Sequence, residues 1–95
     1  MVDGDTIWLA GEKIRLADID APEINGDCPY ERDLALAARD RLSQLLSGPI
    51  TLYRQGKDRY GRTLAVVVVD GYSVGDQLVA EGLARTWTGR REPWC

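Results

Sequence analysis

Asp5-Thr6-Ile7-Trp8-Leu9-Ala10-Gly11-Glu12-Lys13-Ile14-Arg15-Leu16-Ala17-Asp18-Ile19-Asp20-Ala21-Pro22-Glu23 reads as one β-hairpin with an abrupt exit. The β-prone run Thr6–Leu9 leads to a turn near Ala10-Gly11, and residues 13–19 return with apolar and polar positions mixed at period two. Successive strand residues face opposite ways, so Arg15 projects from the face opposite Ile14 and Leu16. Pro22 cannot donate to a ladder and holds Ala21 extended, which ends the strand at Asp20. Strand pairing brings the two ends of the hairpin together, and both are acidic: Asp3 and Asp5 at the entry, Asp20 and Glu23 at the exit.

Taken singly, each of these carboxylates is an ordinary turn or loop residue. Together they are a donor set, because hard cations such as Ca²⁺ are held by carboxylate and carbonyl oxygens. Arg15 lies five residues before Asp20, and Arg62 closes the polar turn Asp58-Arg59-Tyr60-Gly61-Arg62. Two guanidinia beside a dicarboxylate cation site suit a phosphodiester, since metal and arginines bind the phosphate and oppose charge developing in the transition state. A carboxylate then activates water, and Glu23 is the candidate.

Outward from the hairpin, a loop through Asn25-Gly26-Asp27 precedes an amphipathic helix over residues 29–47. Pro29 suits the first helical position, the leucines and Ala38 recur at helical spacing, and Gly48-Pro49 stops it. Residues 50–54 form a short strand. Thr63–Val69 forms a strongly β-branched one, buried on both faces if its apolar run is taken literally. Asp70-Gly71 is a hairpin-type turn. Ser73-Val74-Gly75-Asp76 has capping-box spacing and opens a second helix closed by Gly82, and Leu83 onward is extended with an Arg/Trp-rich tail.

Ninety-five residues make a single domain, and no apolar run is long enough to span a bilayer. With no histidine, Ser-His-Asp and Cys-His systems and imidazole acid/base chemistry are excluded. The basic residues are ten Arg and two Lys, a bias toward bidentate contact with carboxylate or phosphate. The net charge of −3 argues against a broad basic nucleic-acid surface, yet it is unevenly spread. Residues 1–50 hold five basic and ten acidic groups, whereas residues 51–95 hold seven basic and five acidic, leaving room for a local anion site. Cys28 and Cys95 are too far apart for a CxxC motif and are either inert or paired. A Cys28–Cys95 disulfide would imply an oxidising, extracytoplasmic compartment, secreted or periplasmic.

Four blocks in order carry a resemblance. Val2-Asp3-Gly4-Asp5-Thr6-Ile7, Ile14-Arg15-Leu16 through Ile19-Asp20-Ala21-Pro22-Glu23, Asp58-Arg59-Tyr60-Gly61-Arg62-Thr63-Leu64-Ala65, and Leu78-Val79-Ala80-Glu81-Gly82-Leu83-Ala84 resemble the signature blocks of the staphylococcal-nuclease-like, or thermonuclease, family. The resemblance implies a mainly β, α+β fold, an OB-like five-stranded barrel with two helices. It also implies a Ca²⁺-dependent phosphodiesterase that acts on DNA and RNA and leaves 3′-phosphates. By position, Asp5 and Asp20 would ligate Ca²⁺ with the main-chain carbonyl of Ala21, and Asp3 would lie near the metal. Arg15 and Arg62 match the catalytic arginines and Glu23 the general base, while Arg59 and Tyr60 match binding positions beside the nucleotide.

Two departures stand out. Of the family's first strand only Met1 and Val2 precede Asp-Gly-Asp, which leaves open barrel edges and a route to self-association. The family's two nucleotide-contacting tyrosines fall at about Thr88 and Arg90, so stacking would pass to Trp87 or Trp94 and phosphate contact to Arg90-Arg91, unless the tryptophans cover the barrel. Trp94-Cys95 would then tie the tail to the first helix. The alternative to an enzyme is a catalytically silent nucleic-acid- or protein-binding module of the same fold; retention of Asp5, Arg15, Asp20, Glu23 and Arg62 favours the enzyme.

Overall fold

The computed structural model describes residues 4–95, so Met1, Val2 and Asp3 lie outside the described residues. Strands β1 (Thr6–Leu9) and β2 (Glu12–Leu16) form the expected hairpin, with Leu9 opposite Glu12 across the Ala10-Gly11 turn. Both turn residues have positive φ, 50° and 82°, which is the backbone twist a tight hairpin requires. Ile14 and Leu16 are fully buried and Arg15 points the other way.

The returning strand is not continuous to Ile19. It breaks at Ala17-Asp18, and Ile19–Asp20 forms a separate short strand, β3, paired antiparallel with β7 (Arg85–Thr86) near the chain end. The break is made from outside the hairpin. Ala17 donates its N–H to the Ala65 carbonyl at 2.9 Å, and the Asp18 carboxylate accepts from the Ser73 hydroxyl at 2.7 Å.

After helix α1 (Pro29–Leu45), β4 (Ile50–Lys57) and β5 (Thr63–Val69) pair antiparallel, and β5 runs parallel to β2. Strand β6 (Tyr72–Ser73) folds back on β5 through the Asp70-Gly71 turn, giving a five-stranded mixed sheet whose path is β1-β2-β5-β4. Helix α2 (Val74–Ala80) follows, and the Ser73 hydroxyl caps it by accepting from the Asp76 N–H at 3.1 Å. This is the OB-like α+β arrangement, with β1 and β4 as the sheet's edges among the described residues.

Two expected boundaries shift, and one expected burial pattern does. Helix α1 ends at Leu45 rather than at residue 47. Strand β4 continues past Arg54 because a bulge at Gly56, φ 113°, absorbs one residue and lets Lys57 pair with Thr63. Strand β5 is not buried on both faces: Thr63, Ala65, Val67 and Val69 are buried, whereas Leu64, Val66 and Val68 are only partly covered. The core joins this inner face to Ile7, Ile14, Leu16, Ile19, Leu42, Val74 and Leu78. On the surface, Glu12 accepts from Arg54 at 2.8 Å and Thr63 at 2.6 Å, which lowers its pKa to about 2.

Two glycines mark close approaches. A Cβ on Gly4 would sit 2.8 Å from the Ala38 Cβ, so glycine lets the start of β1 press against α1. A Cβ on Gly26 would sit 2.4 Å from the Glu31 carboxyl carbon. Glu31, in the first turn of α1, is buried and accepts from the main-chain N–H groups of Glu23 (2.9 Å) and Asp27 (3.1 Å) and from Arg91 Nη2 (3.0 Å). The Glu23 N–H above all, working against burial and helped by the Asp27 N–H and Arg91, holds this carboxyl below the ordinary glutamate range. Finally, Cys28, at the N-cap of α1, forms a disulfide with Cys95 across 67 residues of chain.

Two outcomes follow for stability. Replacing both cysteines by serine should lower the unfolding free energy by about 4 kcal/mol on chain entropy alone, read by urea unfolding of the two proteins under non-reducing conditions. Glu31→Ala should cost about 2 to 3 kcal/mol, because it strands two amides and a guanidinium. Since the folded-state pKa of Glu31 is depressed, its contribution is complete above the ordinary value near 4.5 and is lost as pH falls below it. The acid-unfolding profile of Glu31→Gln should therefore be flatter than that of the parent in this range.

Candidate active site

The hairpin geometry sets the first half of the site. Leu16 donates its N–H to the Asp5 carbonyl at 2.8 Å, which fixes Asp5 beside the end of β2. The Asp5 carboxylate is buried, accepts from the Thr6 hydroxyl at 3.0 Å and lies 3.4 Å from Arg15 Nη2. Arg15 is held from its other side by the carbonyls of Leu16 and Ile19, the second at 3.0 Å. Its guanidinium is thus locked by main chain before any ligand arrives, which is what electrostatic preorganisation requires.

Asp20 ends β3, and its side chain is 5% exposed. Burial raises its pKa, Arg91 opposes the rise, and the neighbouring Asp5 charge adds to it. Its Oδ1 faces Arg91 Nη1 at 3.2 Å, while Oδ2 is buried without a hydrogen-bond partner. Ala21 and Pro22 are buried, and they carry the chain out to Glu23, whose side chain is more than half exposed. A turn closed by the Gly26 N–H on the Glu23 carbonyl, together with the Glu23 N–H on Glu31, fixes the main chain of this exposed residue.

The third part comes from the turn between β4 and β5. Asp58 Oδ1 accepts from the N–H groups of Tyr60 and Arg62, both at 2.9 Å, and Oδ2 from Arg62 Nε at 2.6 Å. Burial disfavours the charged form of Asp58, but these bonds outweigh it and hold the carboxyl below its usual range. Because Arg62 is held through Nε, its terminal nitrogens donate to no protein group among the described residues. Tyr60 is exposed beneath the Arg59 and Arg62 guanidinia, 5.0 and 5.4 Å from its ring centre.

These parts converge. A depression of about 270 Å³ is lined by Asp5, Arg15, Asp20, Glu23 and Arg62, with Arg59, Trp87 and Arg91 around it. A groove of about 630 Å³ adjoins it past Arg15 and Arg62, flanked by Arg59, Tyr60 and Trp87. A further depression, at the far end of α1 beside β6 and α2, is lined by no cationic side chain. Three participants escaped the sequence reading: Glu31, Asp58 as a support for Arg62, and Arg91 as a partner of carboxylates rather than of phosphate. Glu31 had a signal, since glutamate three residues into a helix commonly accepts from amides before it. Arg91 had none, being 71 residues from Asp20.

The donor chemistry can be tested against a hard cation. Among the described residues no set of three carboxylate or thiol side chains clusters as metal ligands. Two buried carboxylates, one with an unpartnered oxygen, are donors that would fit such an ion if main-chain carbonyl and water oxygens completed its shell.

Comparison with known proteins identifies the family. The family model described as staphylococcal nuclease homologue matches residues 13–93. Endonuclease YncB of Bacillus subtilis is 39% identical over 95 aligned residues, covering 88% of this chain and 44% of its own. An uncharacterized endonuclease of Haemophilus influenzae is 36% identical, covering 86% and 46%. The thermonuclease of Staphylococcus intermedius is 34% identical, covering 90% and 55%. The chain spans about half the length of these relatives. With residues of three of the signature blocks brought to one arginine- and carboxylate-lined depression, and a family model that takes in most of its length, the chain belongs to the staphylococcal nuclease homologues.

Proposed function

We propose that this domain is a Ca²⁺-dependent nuclease that hydrolyses DNA or RNA by in-line attack of water and leaves 3′-phosphates. The observation that supports it most is the convergence of two buried carboxylates, two preorganised arginines and one exposed glutamate on a single depression beside an aromatic, cationic groove.

Asp5, Asp20 and the Ala21 carbonyl would hold Ca²⁺, which when bound supplies positive charge at a non-bridging phosphate oxygen. Arg15 and Arg62 bind phosphate oxygens and oppose the charge that builds toward the pentacoordinate state. Glu23 takes the proton from the attacking water, a role that suits an exposed carboxylate on a main chain fixed by Glu31. The bond to the 5′ oxygen then breaks, the bonding pair goes to that oxygen, and it takes a proton from solvent to leave as a 5′-hydroxyl. Tyr60 and Trp87 flank the groove as faces for bases, and Arg59 adds charge for the neighbouring phosphate. The Cys28–Cys95 disulfide supports work in an oxidising compartment, secreted or periplasmic.

Cleavage of single-stranded DNA, followed as release of acid-soluble product, should stop on chelation and return with added Ca²⁺. Glu23→Gln, Arg15→Ala and Arg62→Ala should each lower kcat by about a hundredfold or more, with folding unchanged by circular dichroism. Equal activity in parent and variants overturns the mechanism, and oligonucleotide binding without cleavage by the parent would point to a silent binding module. Tyr60→Ala and Trp87→Ala should act mainly on KM, raising it by about tenfold for an oligonucleotide while leaving kcat within a few-fold.

A further inference from the structure

The segment after β7 enters the site through Trp87 and Arg91. After β7, Trp87 donates its N–H to the Asp18 carbonyl at 3.0 Å, and Cys95 is bonded to Cys28 at the start of α1. Arg85 of β7 holds the segment between these anchors, stacking on Trp94 at 3.8 Å from the ring centre and donating to the Pro93 carbonyl at 2.8 Å. The segment so pinned delivers Arg91 to three carboxylates: Nη1 lies 3.2 Å from Asp20 Oδ1 and 3.3 Å from Glu23 Oε1, and Nη2 3.0 Å from Glu31 Oε2. Glu31 is committed to this position by the two amides it accepts from. Asp20 and Glu23 are the groups whose negative charge the reaction uses.

We propose that Arg91 is a further residue of the active site, a cation brought in by the segment after β7 whose charge beside Asp20 opposes the divalent ion and thereby sets the metal affinity. The inference rests on the metal-site reading above. The Asp20 oxygen left without a partner is Oδ2, on the carboxylate whose other oxygen Arg91 holds. A guanidinium on Oδ1 and a divalent ion on Oδ2 would stand about 5 Å apart, where a single and a double positive charge repel even in a watery medium by enough to change affinity on the order of tenfold. The disulfide matters because it closes the tail four residues beyond Arg91. Tethering keeps the guanidinium at a high effective concentration beside the carboxylates, so an ion at Oδ2 meets a charge that cannot diffuse away.

Calorimetric titration of the metal-free chain with Ca²⁺ tests this without recourse to turnover. The expected result is a Kd about tenfold lower for Arg91→Met, which keeps the side-chain stem, than for the parent. A Cys28→Ser/Cys95→Ser variant, held at a temperature where its near-ultraviolet circular dichroism is native, should fall between the two, and adding Arg91→Met to it should bring the Kd to the Arg91→Met value. An unchanged or weaker affinity in Arg91→Met overturns the inference while leaving the nuclease reading in place. Absence of Ca²⁺ binding in both parent and Arg91→Met overturns the inference together with the metal site.

Discussion

One buried carboxylate, Glu31, holds the site together. It sits in the first turn of α1 and binds at once to the loop after β3, through the Glu23 N–H, to the helix approach, through the Asp27 N–H, and to the tail, through Arg91. The β3–β7 ladder brings the first and last of these segments near each other, but joining all three at one point takes a group that accepts several hydrogen bonds. An anion with several lone pairs can, at the cost of being buried, and the charge-assisted bonds repay that cost. Gly26 is part of the same constraint, since any side chain there would meet the Glu31 carboxyl.

Around that hub the site alternates in sign. Asp5 faces Arg15, Asp20 faces Arg91, and Asp58 faces Arg62, so each functional group has a partner that orients it. The arginines differ in how they are held. Arg15 is fixed mainly by carbonyls and Arg62 through Nε, which leaves terminal nitrogens of Arg62 for an anion, whereas Arg91 spends both terminal nitrogens on carboxylates. Fixation by groups other than substrate is what lets a guanidinium stabilise developing charge without a reorganisation cost.

The absence of histidine, which removes most familiar hydrolytic arrangements, is consistent with this design. Among the carboxylates lining the depression Glu23 is the exposed one, while the aspartates are buried. The acidic excess of residues 1–50 supplies the carboxylates, and the basic excess of residues 51–95 supplies Arg62 and Arg91, so the two halves of the chain are complementary at the site.

Much of this was legible locally. The alternation around Ile14-Arg15-Leu16, the Ala10-Gly11 and Asp70-Gly71 turns, the Ser73 cap and the start of α1 at Pro29 follow from backbone sterics and side-chain periodicity over a few residues. Their neighbours in sequence are their neighbours in space. The break at Ala17-Asp18 was not legible, because it is imposed by Ala65 and Ser73, nor was the half-cover of β5, which depends on what packs above it. The reach of Arg91 across 71 residues to Asp20, and the choice of Glu31 over the other acids of α1 as the buried one, were settled by tertiary packing alone. The sequence determined which chemical groups stand at the ends of the first hairpin; the folded chain decided which charges face them, since a charge partner is chosen by distance in space and leaves no period in the chain.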